Sequence, residues 1–416
     1  MPPTLDTGES RKNIWGLHPN VFFLGISCLL TDISSEMIFT LIPLFLSNVL
    51  GATTEIIGLV GGLSDSADAG FRVLGGWFSD KIKKRKLLAV LGYSFSTVVK
   101  PLMYFANNWV MVTGIRLGDR VGKGIRSAPR DAIVADSVAE DERGRGFGLH
   151  RAMDTAGAVI GLASAAIIIY AVQGGGLELG LKSYQWIVLV GIAPAVLAVL
   201  VLQIFVRERK SEESLPPSSR SGVTSPGPKK GFDTRFKMFL VILGVFTLGK
   251  SSDFFVILRA QKLEVPLIQV VMMLVLFNIV YSLTSLPMGI LSDRLGRRRM
   301  LALGWGIYAL VYLGFALASA VWQSWLLFAF WGVYFGVVEG VGRAFVADLV
   351  PDERRGLAYG LYHGVVGFAV LPASLIAGWL WDKFSSSAPF FFGAGLALLA
   401  MIAIMTLIKE PVSEQR

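Results

Sequence analysis

The chain has 416 residues, of which 53% are hydrophobic and 17% charged, with a formal net charge of +9 and a mean hydropathy of +0.60. Soluble proteins average nearer ~25% charged, and the apolar residues here fall in blocks of about the ~20 that cross a ~30 Å hydrocarbon layer as a helix. That excludes a string of soluble domains and predicts an all-α polytopic membrane protein.

In chain order, the polar stretch before Asn20 lacks the short apolar core and small-residue cleavage site of a signal peptide, so the first hydrophobic run is expected to be a retained span. It holds the single cysteine, Cys28, which excludes an internal disulfide. Twelve spans are predicted, at 20–48, 55–79, 87–106, 109–128, 146–172, 184–206, 236–260, 266–291, 300–319, 324–346, 356–382 and 388–408. Between the sixth and seventh lies "RERKSEESLPPSSRSGVTSPGPKKGFD", too rich in Ser, Pro and charge to bury a core. The expected organisation is a six-helix bundle over 1–206, a cytoplasmic linker over 207–235 and a second six-helix bundle over 236–416.

The basic residues are clustered. Lys81, Lys83, Lys84, Arg85 and Lys86 share one short connection, Arg294, Arg297, Arg298 and Arg299 another, and Arg207, Arg209, Lys210, Lys229 and Lys230 the linker. The alternate connections, Ser47–Thr54, Asn107–Asn108 and Ser319–Ser324, carry no Lys or Arg. This is the positive-inside pattern. It makes the charge a topology signal rather than a nucleic-acid surface, and both termini are expected on the cytoplasmic side of the membrane.

The halves repeat. "GWFSDKIKKRK", with Gly76 and Asp80, returns as "GILSDRLGRRR", with Gly289 and Asp293. "ADSVAEDERGRGFGL" returns as "ADLVPDERRGLAYGL", and "SSEMIFTL" as "SSDFFVIL". The order and near-constant offset identify a tandem duplication of a six-helix unit. "GVFTLGKS", Gly244–Ser251, satisfies the phosphate-loop pattern letter by letter. It lies inside the seventh span with no strand before it, so Lys250 is read as an ionisable residue of a membrane helix.

Charged residues at bilayer depth cost at least ~2.5–3.5 kcal/mol and normally face a polar cavity or a partner. In the first span Asp32 and Glu36 are four apart on one face, beside Ser35; in the repeat Glu36 corresponds to Asp253, and Ile33 to Lys250. Two acids a turn apart repel, which suits a proton-coupling site; the alternative is permanent pairing with Lys250 or an arginine that braces the bundle. In the second span Asp65, Asp68 and Arg72 share a face. Asp68 and Arg72 are expected to pair, leaving Asp65 as the cavity candidate. The fourth span, "GIRLGDRVGKGIRSAPRD", offers Arg120, with Arg116 an open alternative, and a stripe of small residues, Gly124 and Ala128, matched by Gly332, Gly336 and Gly340. In the fifth, Asp154 has Arg151 and His150 within a turn, and in the tenth Glu339 and Arg343 are four apart. His150 and His363 are expected at helix ends rather than in a proton relay. No metal-ligand spacing and no nucleophile–base constellation emerges, so neither a metal, a cofactor nor an enzyme is implied.

On the two loop signatures the chain resembles the major facilitator superfamily. The second copy, Gly289 to Arg298, fits the pattern G-x-x-x-D-[RK]-x-G-[RK]-[RK] fully; the first has Lys83 where glycine is usual. The resemblance implies two bundles rocking about a midplane site. It also implies that Asp80 and Asp293, with Arg85, Arg294 and Arg297, help hold the outward-facing state closed at the cytoplasmic side. The "SSEM", "GIRSAPRDAIVAD" and "GLHRAMDTAGAVIG" stretches look like its bacterial exporter-type group, with Gly157-Ala158 in place of the usual Gly-Pro and Gly161 following. The expectation is a monomeric secondary transporter of the bacterial inner membrane, exporting a small organic compound against protons. Uptake, or efflux of an anionic, siderophore-like metabolite, is the alternative.

Overall fold

The computed structural model describes residues 18–82, 85–137, 143–207, 232–351 and 354–408. It is built of helices: α1 (Pro19–Phe39), α2 (Ile42–Leu44), α3 (Thr54–Ile82), α4 (Arg85–Val99), α5 (Trp109–Asp136), α6 (Arg143–Gln173) and α7 (Leu181–Phe205) in the first half. The second half has α8 (Thr234–Gly249), α9 (Phe254–Lys262), α10 (Leu267–Leu295), α11 (Arg297–Leu317), α12 (Val321–Leu349), α13 (Arg355–Lys383) and α14 (Ala388–Leu407). Most of the predicted linker, 208–231, lies outside the described residues.

Among the described residues ten helical segments are long and apolar enough to cross a membrane by length and composition. The two spans missing from that set are α3 and α5, of 29 and 28 residues. They are as long as the rest and fail only on composition, because they carry Asp65, Asp68, Arg116, Asp119, Arg120 and Lys123. They complete a set of twelve.

Two spans predicted as continuous are interrupted. The first stops at Phe39, turns through Thr40 and Leu41, and continues through α2 and a π turn, Phe45–Val49. Pro43 lacks the N–H that would bond the Phe39 carbonyl, which is reason enough for the break. The seventh stops at Gly249 and restarts at Phe254. Lys250 leaves the helical region with φ −94° and ψ 86°. Ser251, Ser252 and Asp253 offer the backbone alternatives to a helix, and Ser374 Oγ of α13 accepts the freed N–H of Ser252 at 3.0 Å. The two breaks do not correspond in the repeat, so the halves differ where the charges concentrate.

Glycine sets the closest approaches. A Cβ on Gly157 or Gly161 of α6 would stand 2.6 Å from Leu29 O or 2.5 Å from Ile33 O of α1. A Cβ on Gly332 of α12 would meet Phe277 O of α10 at 2.7 Å, and one on Gly124 of α5 would strike the Phe71 backbone. The predicted small-residue stripes thus pack each half internally, as small residues do between membrane helices. Gly340 has no such neighbour.

The halves meet along α3–α13 and α6–α10. Along the first seam Gly378 lies against Glu55, Gly58 against Ser374 and Gly62 against Leu371, while Gly70, Gly360 and Gly364 have open space beside them. At the Lys/Arg-poor end, Gln261 Nε2 donates to Asn48 Oδ1 at 2.8 Å and Leu267 N to Gly176 O at 2.9 Å. Asp382 Oδ2 accepts from Glu55 N at 3.0 Å. The molecule is zipped shut at that end, and its α3–α13 seam loosens toward the other.

Candidate functional site

Below the closed end, α1 and α5 enclose a cavity of about 50 Å³. Asp32, Ser35, Glu36 and Thr40 line it from α1, and Arg116, Asp119, Arg120, Lys123 and Arg126 from α5. That volume holds a water or two. With every group ionised, four cations face three acids. Glu36 Oε2 accepts from Thr40 Oγ1 at 2.5 Å. Arg116 is buried over the Phe39 ring, 4.6 Å to its centroid, and 3.9 Å from Asp119. Arg126 is buried over Tyr93 at 4.4 Å.

Arg120 Nη1 lies 3.6 Å from Asp68 Oδ1 on α3. Asp68 thus reaches across to α5; the expected Asp68–Arg72 pair falls on a side chain, that of Arg72, which lies outside the described residues. Both α5 arginines left open by the sequence face the cavity, so the choice between Arg116 and Arg120 dissolves. Several of their donors are buried without a hydrogen-bond partner: Arg116 Nε, Arg120 Nε, and Arg126 Nε and Nη1. A buried guanidinium donor left unmatched loses about 1–3 kcal/mol, so these groups are poised for an acceptor.

Asp65 carries the site across the molecular seam. Its charged neighbours are Arg120 and Arg116 on α5 and Asp68 on its own helix, and one turn earlier Gly61 packs against Ser252 Oγ, in the interruption between α8 and α9. The charges of Lys250 and Asp65 in turn act on Asp253. The Lys250 ammonium does not clasp Asp253. It lies over the rings of Phe335 and Tyr334, at 4.6 and 5.8 Å, in a cavity of about 120 Å³ that Glu339, Tyr362 and Thr247 also line. Asp65, Ser252, Asp253 and Lys250 thus form a polar bridge between the halves at the broken helix. A wider groove of about 600 Å³ between α11 and α14 is lined by Leu303, Ile307, Leu310 and Met401 and lies apart from these charges.

Asp154 stands elsewhere. It faces α1, with Cys28 Sγ at 2.5 Å and Arg151 Nη1 at 3.9 Å from its two oxygens. His150, about two turns from the start of α6, is buried. The structure also brings Cys28, His150 and Asp154 together with one ligand atom each inside 4.8 Å, a grouping that no spacing along the sequence displays because it spans two helices.

The loop signature is described only in its second copy; the side chains at Gly76, Asp80 and Lys83 lie outside the described residues. Gly296 has φ 89°, a left-handed conformation that glycine adopts freely, and opens α11. Arg297 clasps Asp293 at 3.6 Å and Asp348 of α12 at 2.6 Å. Asp293 therefore braces its own half, with Arg294 exposed beside it; Gly289 has no close neighbour. Arg85 opens α4.

Two buried residues escaped the sequence reading. Lys100, at the end of α4, is fully buried and donates to Ser34 Oγ and Ser35 Oγ, both at 3.0 Å. Asp119 is buried and accepts from Ser96 Oγ. Each is an ionisable residue in a hydrophobic run, the same signal that singled out the others.

Two six-helix halves, a polar bridge at a broken helix and a charged cavity between helices define a membrane transporter. The sequence pattern of the Major Facilitator Superfamily matches residues 24–258 and 237–416, and the chain belongs to that family. An uncharacterised MFS-type transporter of Methanocaldococcus jannaschii is 36% identical over 403 residues, 95% of this chain and 97% of that one. Multidrug resistance protein 2 of Bacillus subtilis is 31% identical over 139 residues, 33% and 34% of the two chains. Among solved structures, a nucleoside transporter, NupG, superposes with a TM-score of 0.76 at 13% identity, covering 94% of this chain and all of that one. A POT family transporter bound to a thioalcohol-conjugated peptide gives 0.78 at 10%, over 95% and 97%. Family and relatives are transporters, not enzymes.

Proposed function

We propose that the protein is a proton-coupled exporter of a small organic compound, working by alternating access. The observation that carries this reading is the packing of the Asp65 helix, α3, at Gly61 against Ser252 in the helix break of the other half, which sets Asp65 and Asp253 on the two sides of the seam. Acids that straddle the moving seam gain or lose contacts when the halves rock, so protonating them biases one state over the other. Glu36 and Asp32 face the arginines of the same cavity; neutralising either weakens its hold on the cationic helix α5. The positive-inside rule places the zipped end outside, so the described state faces the cytoplasm, where an exporter loads its cargo. Partial similarity to multidrug and tetracycline resistance proteins supports efflux.

The test is transport by the purified protein in proteoliposomes under an imposed pH gradient. Substrate movement that follows the gradient and reverses with it supports coupling; movement indifferent to it removes protons from the mechanism and leaves facilitated transport.

One observation favours a second reading. The unpartnered donors of Arg116, Arg120 and Arg126 suit a carboxylate or another anionic group on the cargo. Ligand-induced thermal shifts lost in Arg120→Gln but kept in Glu36→Gln support an anionic metabolite as substrate.

A further inference from the structure

The seam between α1 and α6 holds a cluster that the transport reading uses only at Asp32. Cys28, the chain's single cysteine, lies on α1 and is 3% exposed. From α6, Asp154 places Oδ1 2.5 Å from its Sγ, and a His150 ring nitrogen comes within 4.8 Å of both. Asp32, one turn along α1, sets Oδ2 3.8 Å from the same sulfur. His150 is 6% exposed and its Nε2 is buried without a hydrogen-bond partner. A buried imidazole with an unpartnered nitrogen, set beside a thiol and a carboxylate, is an unfinished polar arrangement.

We infer that Cys28, His150 and Asp154, with Asp32 as the fourth donor, form a binding site for a divalent transition-metal ion of the zinc class. One sulfur, one imidazole nitrogen and carboxylate oxygens are the donors zinc takes in four-coordinate sites. The sign of the charge agrees. A thiolate and two carboxylates bring three negative charges to one spot, against Arg130, whose Nη1 lies 3.5 Å from Sγ, and the half-exposed Arg151, 3.9 Å from Asp154; the acidic donors outnumber these cations. Binding displaces the thiol proton to solvent and separates Cys28 from Asp154 by roughly 1 Å, to the spacing of two atoms each ~2.0–2.3 Å from one metal. The bound ion ties α1 to α6, the two helices that Gly157 and Gly161 already bring into backbone contact. The inference shares Asp32 with the transport reading, and a metal held there would leave Glu36 as the acid of the α1–α5 cavity free to exchange a proton; its test requires neither cargo nor a pH gradient.

The experiment uses the full-length protein, purified in detergent, tag-free and chelator-treated. Cobalt(II) titration should give one equivalent bound with a sulfur-to-metal charge-transfer band. Zinc should displace it and raise the unfolding temperature. Cys28→Ser should abolish the band and weaken zinc binding at least tenfold. His150→Gln should weaken binding similarly while keeping the band. His18→Gln combined with His363→Gln, which alters the only other histidines, should change neither. No charge-transfer band in the wild type, or zinc affinity unchanged in both Cys28→Ser and His150→Gln, overturns the assignment and leaves an ion-pair network around Arg130. Should Cys28→Ser fail to fold, His150→Gln and the wild-type spectrum still decide.

Discussion

Arg151 on α6 and Glu339 on α12 join the two halves through a 3.2 Å contact between Nη2 and Oε2. Arg343 holds the other carboxylate oxygen at 3.0 Å, the Tyr281 hydroxyl donates to Oε2, and the Arg151 guanidinium lies over the Tyr281 ring at 5.0 Å. The sequence paired Glu339 with Arg343 alone; the structure adds a partner from the opposite half. Side-chain exposures of 50% for Arg151 and 37% for Glu339 limit the contact to at most about 1 kcal/mol of stability. Glu339→Gln should therefore barely move the unfolding temperature. It should widen the distribution of distances between spin labels on α6 and α12, measured by pulsed dipolar spectroscopy. A wild-type distribution in the variant reduces the bridge to an ordinary surface pair.

Arg120 faces Asp68 with side chains only 12% and 19% exposed. Arg120→Gln leaves that carboxylate without its cation and should cost about 1–3 kcal/mol, read as a lower unfolding midpoint in detergent. Arg120→Lys keeps the charge but not the planar fork, so stability should return while transport stays at least tenfold down. Equal recovery of both makes Arg120 a brace rather than a cargo contact.

Glu36 contributes one of three acids against four cations in the α1–α5 cavity. A neutral side chain at that position leaves the cavity more cationic, which favours releasing α1 from α5. Each proton exchanged should support about a tenfold cargo gradient per unit of pH, roughly 1.4 kcal/mol. Glu36→Gln fixes the neutral form, so transport in proteoliposomes should lose its dependence on the pH gradient while cargo binding persists. A pH-driven gradient of wild-type size in the variant moves the coupling role to Asp32, Asp65 or Asp253.

Gly378 and Gly161 separate seam from bundle. A Cβ on Gly378 of α13 would stand 2.8 Å from Glu55 Cα in the other half, so Gly378→Val should prop open the zipped end and slow transport with little loss of folding. A Cβ on Gly161 would meet Ile33 O at 2.5 Å inside one half. Gly161→Val should therefore destabilise the bundle by about 1–3 kcal/mol, seen as a lower unfolding temperature. The reverse ranking of the two variants contradicts the assignment of these contacts.

Much of this site was visible in the chain. Asp32, Glu36, Asp65, Arg116, Arg120, Lys250 and Asp253 stood out because an ionisable residue inside a hydrophobic run is expensive wherever the helix turns it. Lys100 and Asp119 carried the same signal. The helix interruption at Lys250 was not legible, because "GVFTLGKSSDFFVIL" has the length and hydropathy of one span and no proline to break it. Ser374, more than a hundred residues away, accepts the N–H that the break exposes. Partners were the weakest part of the reading. Asp68 faces Arg120 of another helix, a partner its own helix could not announce, and Cys28, unremarkable in its apolar run, meets Asp154 across 126 residues.

Span number, duplication and the depth of the charges were determined by the sequence alone, because a helix satisfies its own backbone and hydrophobic length is a local property. Tertiary structure decided which charge answers which, where the seventh helix yields, and which end of the molecule is shut. Those outcomes depend on how each helix is rotated against neighbours distant in the chain, and periodicity along one strand of sequence does not record that rotation.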